Sequence, residues 1–309
     1  MERLDGGAAV PAHLSGAIVA LGNFDGFHLG HQAVVGRAVE RARAEGRPAI
    51  VATFDPHPVR HFRPDTPAFR LTTLDQRERL FAAAGADAMA VFGFDAALAA
   101  LSAEAFVEER LVGWLHVGGV VTGEDFTYGR AKAGDVGTLR VGGEAGGFSV
   151  DTVGPVTLDG ETVSSTRIRN ALRSGDPCTA ARLLTRPFAI EGRVQHGDKL
   201  GRTIGYPTAN LDMGKYLRPA YGIYAVRGRL EDGRVLDGAA NLGVRPTFDP
   251  PKELLEPYFF DFSGDLYDRC IEVELIEFLR PEAKFDSLEA LTAQMDADCV
   301  RAREVLANG

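Results

Sequence analysis

Residues 17–46 read AIVALGNFDGFHLGHQAVVGRAVERARAEG, and the reading of this stretch decides the fold of the first half of the chain. AIVALG (17–22) is a short apolar run ending in glycine, the pattern of a buried strand. HQAVVGRAVERARAEG (31–46) places Val34, Val35, Ala38, Val39 and Ala42 at helical spacing, with Gly46 positioned as a C-terminal cap. Between them GNFDGFHLGH joins strand to helix through a turn rich in small residues. Backbone N–H groups at a helix start attract anions, and glycine lets a phosphate approach closely. His28 and His31 stand beside that position, where imidazole N–H groups suit oxygens gaining charge at phosphorus. On residue types alone two further readings stay open. One is a pair of core histidines; the other is a zinc site, for which His57 and His61 supply a second pair at i, i+4.

Outward from this stretch the alternation continues. PAIVATF (48–54), AMAVFGF (88–94) and GGVVTG (118–123) read as strands, and TLDQRERLFAAAG (73–85) and SAEAFVEERLVG (102–113) as helices. The first of these helices has a Thr73/Gln76 capping box and Gly85 as its stop. Such alternation predicts an α/β domain, a parallel sheet covered by helices on both faces. Ligands in such sheets bind at the C-terminal ends of strands, where the GNFDGFHLGH turn lies. SSTRIRNALRSGD (164–176) reads as a helix, and Asp176-Pro177 opens another with aspartate as N-cap and proline at the first helical position. The texture then changes. FAIEGRVQHG, YGIYAVRGRL, RVLDGAANLG and CIEVELIEFL are strand-like with glycine-bearing turns, which predicts a small all-β barrel or sandwich. The chain closes on one amphipathic helix whose apolar face is Leu288, Leu291, Met295, Cys299, Ala302 and Leu306, with Asp286 and Glu289 as a capping box. The expected domains are 1–185 and 186–309.

Composition narrows the function classes. The 309 residues are 45% hydrophobic and 25% charged, enough for two cores. No apolar run approaches the ~20 residues of a membrane helix, and no secretory signal opens the chain. Cys178, Cys270 and Cys299 are scattered and form no CxxC pair, which argues against a disulfide framework and fits a cytoplasmic location. The net charge of −9 is spread over both halves, so neither nucleic acid nor a membrane is expected as a partner. Small anionic substrates need only a few arginines and backbone amides.

His28-Leu29-Gly30-His31 resembles the HxGH signature of the nucleotidylyltransferase superfamily. Class I aminoacyl-tRNA synthetases share that signature but carry a lysine-rich loop, and the five lysines of this chain are not clustered. TFDPHP (53–58), GEDFTYGRAKAGD (123–135) and SSTRIR (164–169) follow in the order found in bacterial bifunctional riboflavin kinase/FAD synthetases. The resemblance implies a Rossmann-like parallel-sheet nucleotidylyltransferase domain over 1–185. It implies that His28, His31 and Arg167 serve catalysis, and that Gly22, Asn23, Phe24, Asp25, Gly30, Ser165, Thr166 and Arg169 hold ATP phosphates. Asn23 and Asp25 would hold the nucleotide or its magnesium. Phe54, His57, Asp125, Phe126 and Tyr128 would border the flavin, although Asp125 stands where some relatives carry asparagine.

HGDKLGRTIGYPTANL (196–211) is glycine-rich without a Walker pattern. It resembles the riboflavin kinase signature centred on PTAN, and NLGVRPTF (241–248), DFSGDLYDR (261–269) and LRPEAKFDSLEAL (279–291) agree. Pro207 stiffens the loop, and Thr208 and Asn210 offer oxygens that suit a magnesium ion. The resemblance implies a small antiparallel β-barrel with a terminal helix over 186–309. Thr208 and Asn210 would bind Mg²⁺ and the ATP phosphates; Gly197, Lys199, Gly201, Arg202, Gly205 and Pro207 would complete the ATP loop. Arg245 would meet the flavin. A general base is useful for a primary-alcohol acceptor. The family places a glutamate five residues before the Asp261-Phe262 pair, which is Glu256; Glu253 is its neighbour and competitor. Here Pro257 follows the glutamate where relatives usually lack proline, and Tyr258 stands where they often carry a histidine. The implied reactions are ATP-dependent phosphorylation of riboflavin to FMN and adenylylation of FMN to FAD with release of pyrophosphate. Two rivals are an adenylyltransferase with an impaired kinase half and a non-catalytic flavin- or nucleotide-binding regulator.

Overall fold

A computed structural model describes residues 1–196, 206–245 and 252–308, without the side chain of position 245. It divides into two compact units, 1–67 with 72–164 and 68–71 with 165–309.

The first unit is built on a six-stranded, all-parallel sheet of β1 (Glu2–Asp5), β2 (Ile18–Leu21), β3 (Ala49–Asp55), β4 (Ala88–Gly93), β5 (Gly119–Gly123) and β6 (Ser149–Val153). Their order is β1-β4-β3-β2-β5-β6, and a two-stranded antiparallel ribbon of β7 (Thr157–Leu158) and β8 (Glu161–Thr162) follows β6 in the chain. β2 pairs with β3 on one side and β5 on the other, so the strand order reverses beside β2. Ligands in open α/β sheets bind at such a switch point, outside the carboxyl ends of the strands. Burial on both faces explains why β2, β3 and β4 read as unbroken apolar runs. One face is covered by α1 (Leu29–Glu45) and α3 (Leu74–Ala83), through Val35, Ala38, Val39 and Phe81. The other is covered by α4 (Ala96–Ala100), α5 (Ala103–Phe106) and α6 (Val136–Gly146), through Leu98, Phe106 and Leu139. Gly46 caps α1 in the left-handed conformation, and the Thr73/Gln76 capping box opens α3. The helix expected over 102–113 starts on Ser102 but passes into wider π-type turns at Val107–Val112.

The second unit carries α7 (Ser165–Arg173) and α8 (Pro177–Leu184), the latter capped by Asp176. Its six-stranded antiparallel sheet runs β10 (Leu211–Asp212), β13 (Lys252–Phe259), β12 (Val235–Arg245), β11 (Gly222–Leu230), β14 (Cys270–Pro281), β9 (Phe188–Arg193). A bridge between Gln195 and Asn210, with Gln195 N–H donating to the Asn210 carbonyl at 2.8 Å, brings the two ends together into a nearly closed barrel. The packing division at Ser164/Ser165 falls ahead of position 186 because α8 packs on β9 and β14, and because 70 pairs with 216. The terminal helix α9 (Leu288–Ala307) lays Cys299, Ala302 and Leu306 on Ala225 and Ala239. Two details differ from the sequence expectation. Ser287 rather than Asp286 caps the helix, its hydroxyl accepting Ala290 N–H at 3.1 Å. Leu288 is exposed, because the barrel surface covers only the later turns.

Candidate active sites

In the first unit β2 ends at Leu21 and the chain doubles back through residues 22–28 before α1 begins. Phe24 and Phe27 both adopt positive φ (50° and 44°), and Gly26 does so at 90°. Non-glycine residues in this region store strain, so something must hold the turn. Asp25 is buried, and its Oδ1 accepts Thr72 N–H at 3.0 Å and the Thr72 hydroxyl at 3.3 Å. The same hydroxyl accepts Gly26 N–H at 2.9 Å. Through these bonds Asp25, expected at the nucleotide or its magnesium, fastens the turn. A second clamp acts on Asn23. Its carbonyl accepts the Thr53 hydroxyl at 2.8 Å and Arg77 Nη1 at 3.1 Å, and Arg77 also donates to Thr53 Oγ1 at 2.8 Å. Arg77 is almost fully buried. The side-chain Oδ1 of Asn23 is buried without a hydrogen-bond partner.

His28 is the N-cap of α1: its Nδ1 accepts His31 N–H at 3.4 Å. The two imidazoles stack with centroids 3.6 Å apart and planes 20° from parallel, and the Phe24 ring stands edge-on to His31 at 5.3 Å. A neutral imidazole whose Nδ1 accepts carries its proton on Nε2. Gly22 and Gly30 leave room around these rings; a Cβ at Gly22 would come within 3.0 Å of Phe24 and one at Gly30 within 3.3 Å of His28. The pair HisxxHis therefore stacks at a helix start. His57 instead caps α2 (Pro58–Phe62) by accepting Val59 N–H at 3.2 Å, and His61 lies edge-on to Phe62 and Phe94. Among the described residues no group of three or more His, Cys, Asp or Glu is placed to hold a metal ion.

The expected flavin residues are distributed unevenly. Phe54 is buried and stacks on Phe92 at 5.3 Å, within the sheet's core. Phe126 and Tyr128 stack with centroids 5.7 Å apart; Phe126 is half-buried and Tyr128 buried, and burial raises the Tyr128 phenol. Asp125 is exposed. Ser165, Thr166, Arg167 and Arg169 occupy the first turns of α7, in the second unit. There Arg169 Nε donates to the Phe69 carbonyl at 2.9 Å, and its guanidinium lies 5.1 Å over the Phe69 ring.

The second unit brings Thr208, Asn210 and Glu256 together. Leu211 pairs with Leu255, and Ala209 N–H donates to the Pro257 carbonyl at 2.9 Å, so residues 208–210 run along β13. Leu211, Leu242 and Leu255 point into the barrel core, each fully buried. Side chains alternate along strands, so Asn210 and Glu256 share the opposite face with Tyr258. Asn241 sits directly across from Glu256 on β12 and joins that face. Tyr206 packs edge-on to Tyr258 and donates its hydroxyl to Asp296 of α9, a bond that holds the phenol above its ordinary range. Among the described residues no hydrogen bond engages the Thr208 hydroxyl or the Asn210 side chain, and Asn210 is buried. Two oxygen donors at the barrel's seam suit a hard cation such as Mg²⁺. Gly197, Lys199, Gly201, Arg202 and Gly205 lie outside the described residues, as does the side chain of Arg245.

The structure separates the two candidate glutamates. Glu253 accepts Arg218 Nε at 2.6 Å and the Tyr221 hydroxyl. Burial raises its carboxyl, but those two donors outweigh burial and leave it below the ordinary value. Tyr221 is correspondingly pushed up to about 12, by burial and then by the bond to Glu253. Three positions along, Glu256 faces the other side of the strand, with Asn210 and Asn241. The residues that sequence reasoning passed over are Thr53, Thr72, Arg77 and Asn241. Two of them had a signal, Thr53 as the first residue of TFDPHP and Asn241 as the first of NLGVRPTF.

A parallel-sheet domain with stacked histidines at a helix start, followed by a barrel with an oxygen-rich seam, is the architecture of a two-domain nucleotide-dependent transferase. A family model for FAD synthetase matches residues 10–167, and one for riboflavin kinase matches residues 184–306. The chain belongs to the bifunctional riboflavin kinase/FMN adenylyltransferase family. It is 43% identical to the bifunctional riboflavin kinase/FMN adenylyltransferase of Pseudomonas fluorescens, over 96% of this chain and 95% of that one. It is 39% identical to the protein of that description from Escherichia coli K12, over 94% and 92%. A crystal structure described as a macrolide-efflux protein from Streptococcus pneumoniae superposes with a TM-score of 0.85 at 31% identity, over 96% of this chain and 97% of that one. Among the described residues no helix is long and apolar enough to cross a membrane.

Proposed function

We propose that residues 1–185 transfer the adenylyl group of ATP to FMN, releasing pyrophosphate, and that residues 186–309 transfer the γ-phosphoryl group of ATP to riboflavin. The observation that carries this division is the presence of two separately built turns, one at a parallel-sheet switch point and one at a barrel seam. In the first, the FMN phosphate oxygen attacks the α-phosphorus and the bond to pyrophosphate breaks. No covalent enzyme intermediate is needed, so the protein's work is alignment and charge neutralisation. His28 and His31 donate to phosphate oxygens, the N-terminus of α1 adds its dipole, and Arg167 and Arg169 supply planar cations. Asn23 holds the nucleotide, its carbonyl fixed by Thr53 and Arg77. Gly22, Phe24 and Gly30 shape the cradle; Asp25 acts through Thr72. Phe126, Tyr128, His57 and Asp125 border the flavin, with Phe54 supporting them from the core.

In the second, Glu256 takes the proton of the primary hydroxyl as that oxygen attacks the γ-phosphorus and ADP leaves. Thr208 and Asn210 would hold Mg²⁺, which when bound neutralises phosphate charge. Pro207 restricts the segment that presents them, and Tyr206 ties it to α9. Arg245 contacts the flavin, and Gly197, Lys199, Gly201, Arg202 and Gly205 close over ATP. The three free cysteines suit a reducing cytoplasm.

The test uses the full chain with riboflavin or FMN, ATP and Mg²⁺, and separates the flavins. His31→Ala abolishes FAD formation and leaves FMN formation within about twofold, while Glu256→Gln does the converse, a general base supplying up to 10²–10⁴-fold. Loss of both activities from either folded variant overturns the assignment.

A further inference from the structure

Asn241 stands out in the kinase half because its Oδ1 is buried and has no hydrogen-bond partner. A buried acceptor left unpaired costs about 1–3 kcal/mol, and asparagine is disfavoured in strand interiors. Yet Asn241 sits well inside β12, directly opposite Glu256 and on the face that carries Asn210. An apolar residue would suit the strand better, and two of the residues nearest in sequence, Ala240 and Leu242, are apolar and buried.

The orphaned oxygen needs a donor. The triphosphate end of ATP, like a Glu256 carboxylate, offers acceptors, and the ribose hydroxyls and adenine amine of ATP lie a triphosphate's length from the reacting γ-phosphorus. The O–H groups next to the reacting hydroxyl are those of the flavin's sugar-alcohol chain. Cross-strand neighbours on one face have Cβ atoms roughly 4.5–5.5 Å apart. With the reacting hydroxyl at Glu256, Asn241 lies within reach of a hydroxyl a few carbons along the same chain. We infer that Asn241 is a further flavin-binding residue of the kinase site, its Oδ1 accepting a hydrogen bond from a second hydroxyl of the chain. This rests on the reading of Glu256 as the base. It also supplies a specificity device, since a site with a buried acceptor rejects ligands lacking the matching hydroxyl.

Asn241→Ala and Asn241→Val, the latter a strand-favouring residue without an acceptor, are made in the full chain. Flavin affinity is read by quenching of flavin fluorescence, for riboflavin and for a flavin bearing only a methyl group in place of the chain. Riboflavin affinity falls about tenfold, the worth of one hydrogen bond, and the methyl flavin binds as before. KM for ATP moves less than twofold, and FMN adenylylation by the same variant is unchanged. Equal weakening of both flavins in both variants assigns a structural role and overturns the inference. A rise in KM for ATP with riboflavin affinity constant assigns the acceptor to a metal-bound water and also overturns it. Glu256→Gln runs in parallel. If it keeps full phosphorylation, the reading of the site fails; if it loses phosphorylation while Asn241→Ala leaves riboflavin affinity unchanged, only this inference fails.

Discussion

Thr72→Val is the sharpest perturbation available at the adenylylation turn, because it preserves volume and β-branching and deletes one hydroxyl. That hydroxyl accepts Gly26 N–H at 2.9 Å and donates to Asp25 Oδ1 at 3.3 Å, in a region where Thr72 and Asp25 are both nearly fully buried. The backbone bond from Thr72 N–H to Asp25 Oδ1 at 3.0 Å survives. Depriving a buried N–H of its acceptor costs about 1–3 kcal/mol, and the longer bond adds about 0.5–1. The sum, about 1.5–4 kcal/mol, is comparable to the strain that two positive-φ phenylalanines store, on the order of 1–3 kcal/mol each. The variant therefore releases what keeps the turn in its active shape. We expect FAD formation from FMN to fall by about 10- to 1,000-fold and the first unit to melt about 3–16 °C lower. FMN formation from riboflavin stays within about twofold. Thr72→Ser, which keeps the hydroxyl, recovers most of the rate. The assay is initial-rate flavin chromatography with each substrate separately, alongside calorimetry. A loss below threefold with an unchanged melting temperature would refute the clamp, and an equal loss in both activities would refute its confinement to one site.

Two other outcomes follow from the geometry. Gly22→Ala places a methyl 3.0–3.3 Å from three atoms of the Phe24 ring, which is overpacking of about 1–3 kcal/mol; because Phe24 stands edge-on to His31, FAD synthesis should drop more than melting temperature suggests, and a stable variant of normal rate contradicts this. Glu253 is held below its ordinary 4.5, so the stability it contributes is complete above pH 4.5 and lost as pH falls through its lower folded value. Its partner Tyr221, raised from 10 to about 12, contributes below pH 10 and is lost as pH climbs toward 12. Glu253→Gln should flatten the acid limb of the second unit's pH–stability profile, and an unaltered acid limb speaks against the Arg218–Glu253–Tyr221 cluster.

What could be read from the sequence was what local periodicity and capping control. The β2–turn–α1 passage, the Thr73/Gln76 box, the Asp176 cap and the later turns of α9 each depend on residues within about four positions of one another. β1 (ERLD) and β6 (SVDTV) give no apolar run to read, because an edge strand is paired on one side only and here stays largely unburied. α6 was passed over because glycines at 137, 142, 143 and 146 mask its propensity. The clamps on the turn were out of reach for a different reason. Thr72 lies 47 residues from Asp25, and Arg77 lies 54 from Asn23; nothing in LTTLDQRERL distinguishes these side chains until the sheet brings α3 beside β2. Asn241 required strand register, which a one-residue slip would reverse.

Register also resolves the departure from the family pattern at Pro257. Proline deprives a sheet of one N–H, and in a central strand that is normally damaging. β13 lies between β10 and β12, so the side on which the N–H is missing decides the effect. In an antiparallel strand the N–H and C=O of one residue point the same way. The Pro257 carbonyl accepts from Ala209 N–H, so its absent N–H also faces residue 209 and leaves the ladder to β12 whole. Residue 256 then faces β12, paired with Asn241. The proline thus removes its bond at the end of a two-residue strand, beside the segment that presents Thr208 and Asn210, and leaves the backbone that aims Glu256 intact. Proline also restricts the preceding residue to extended conformations, which is the conformation Glu256 has in β13. Pro257 therefore stiffens the strand that carries Glu256, the residue proposed as the base.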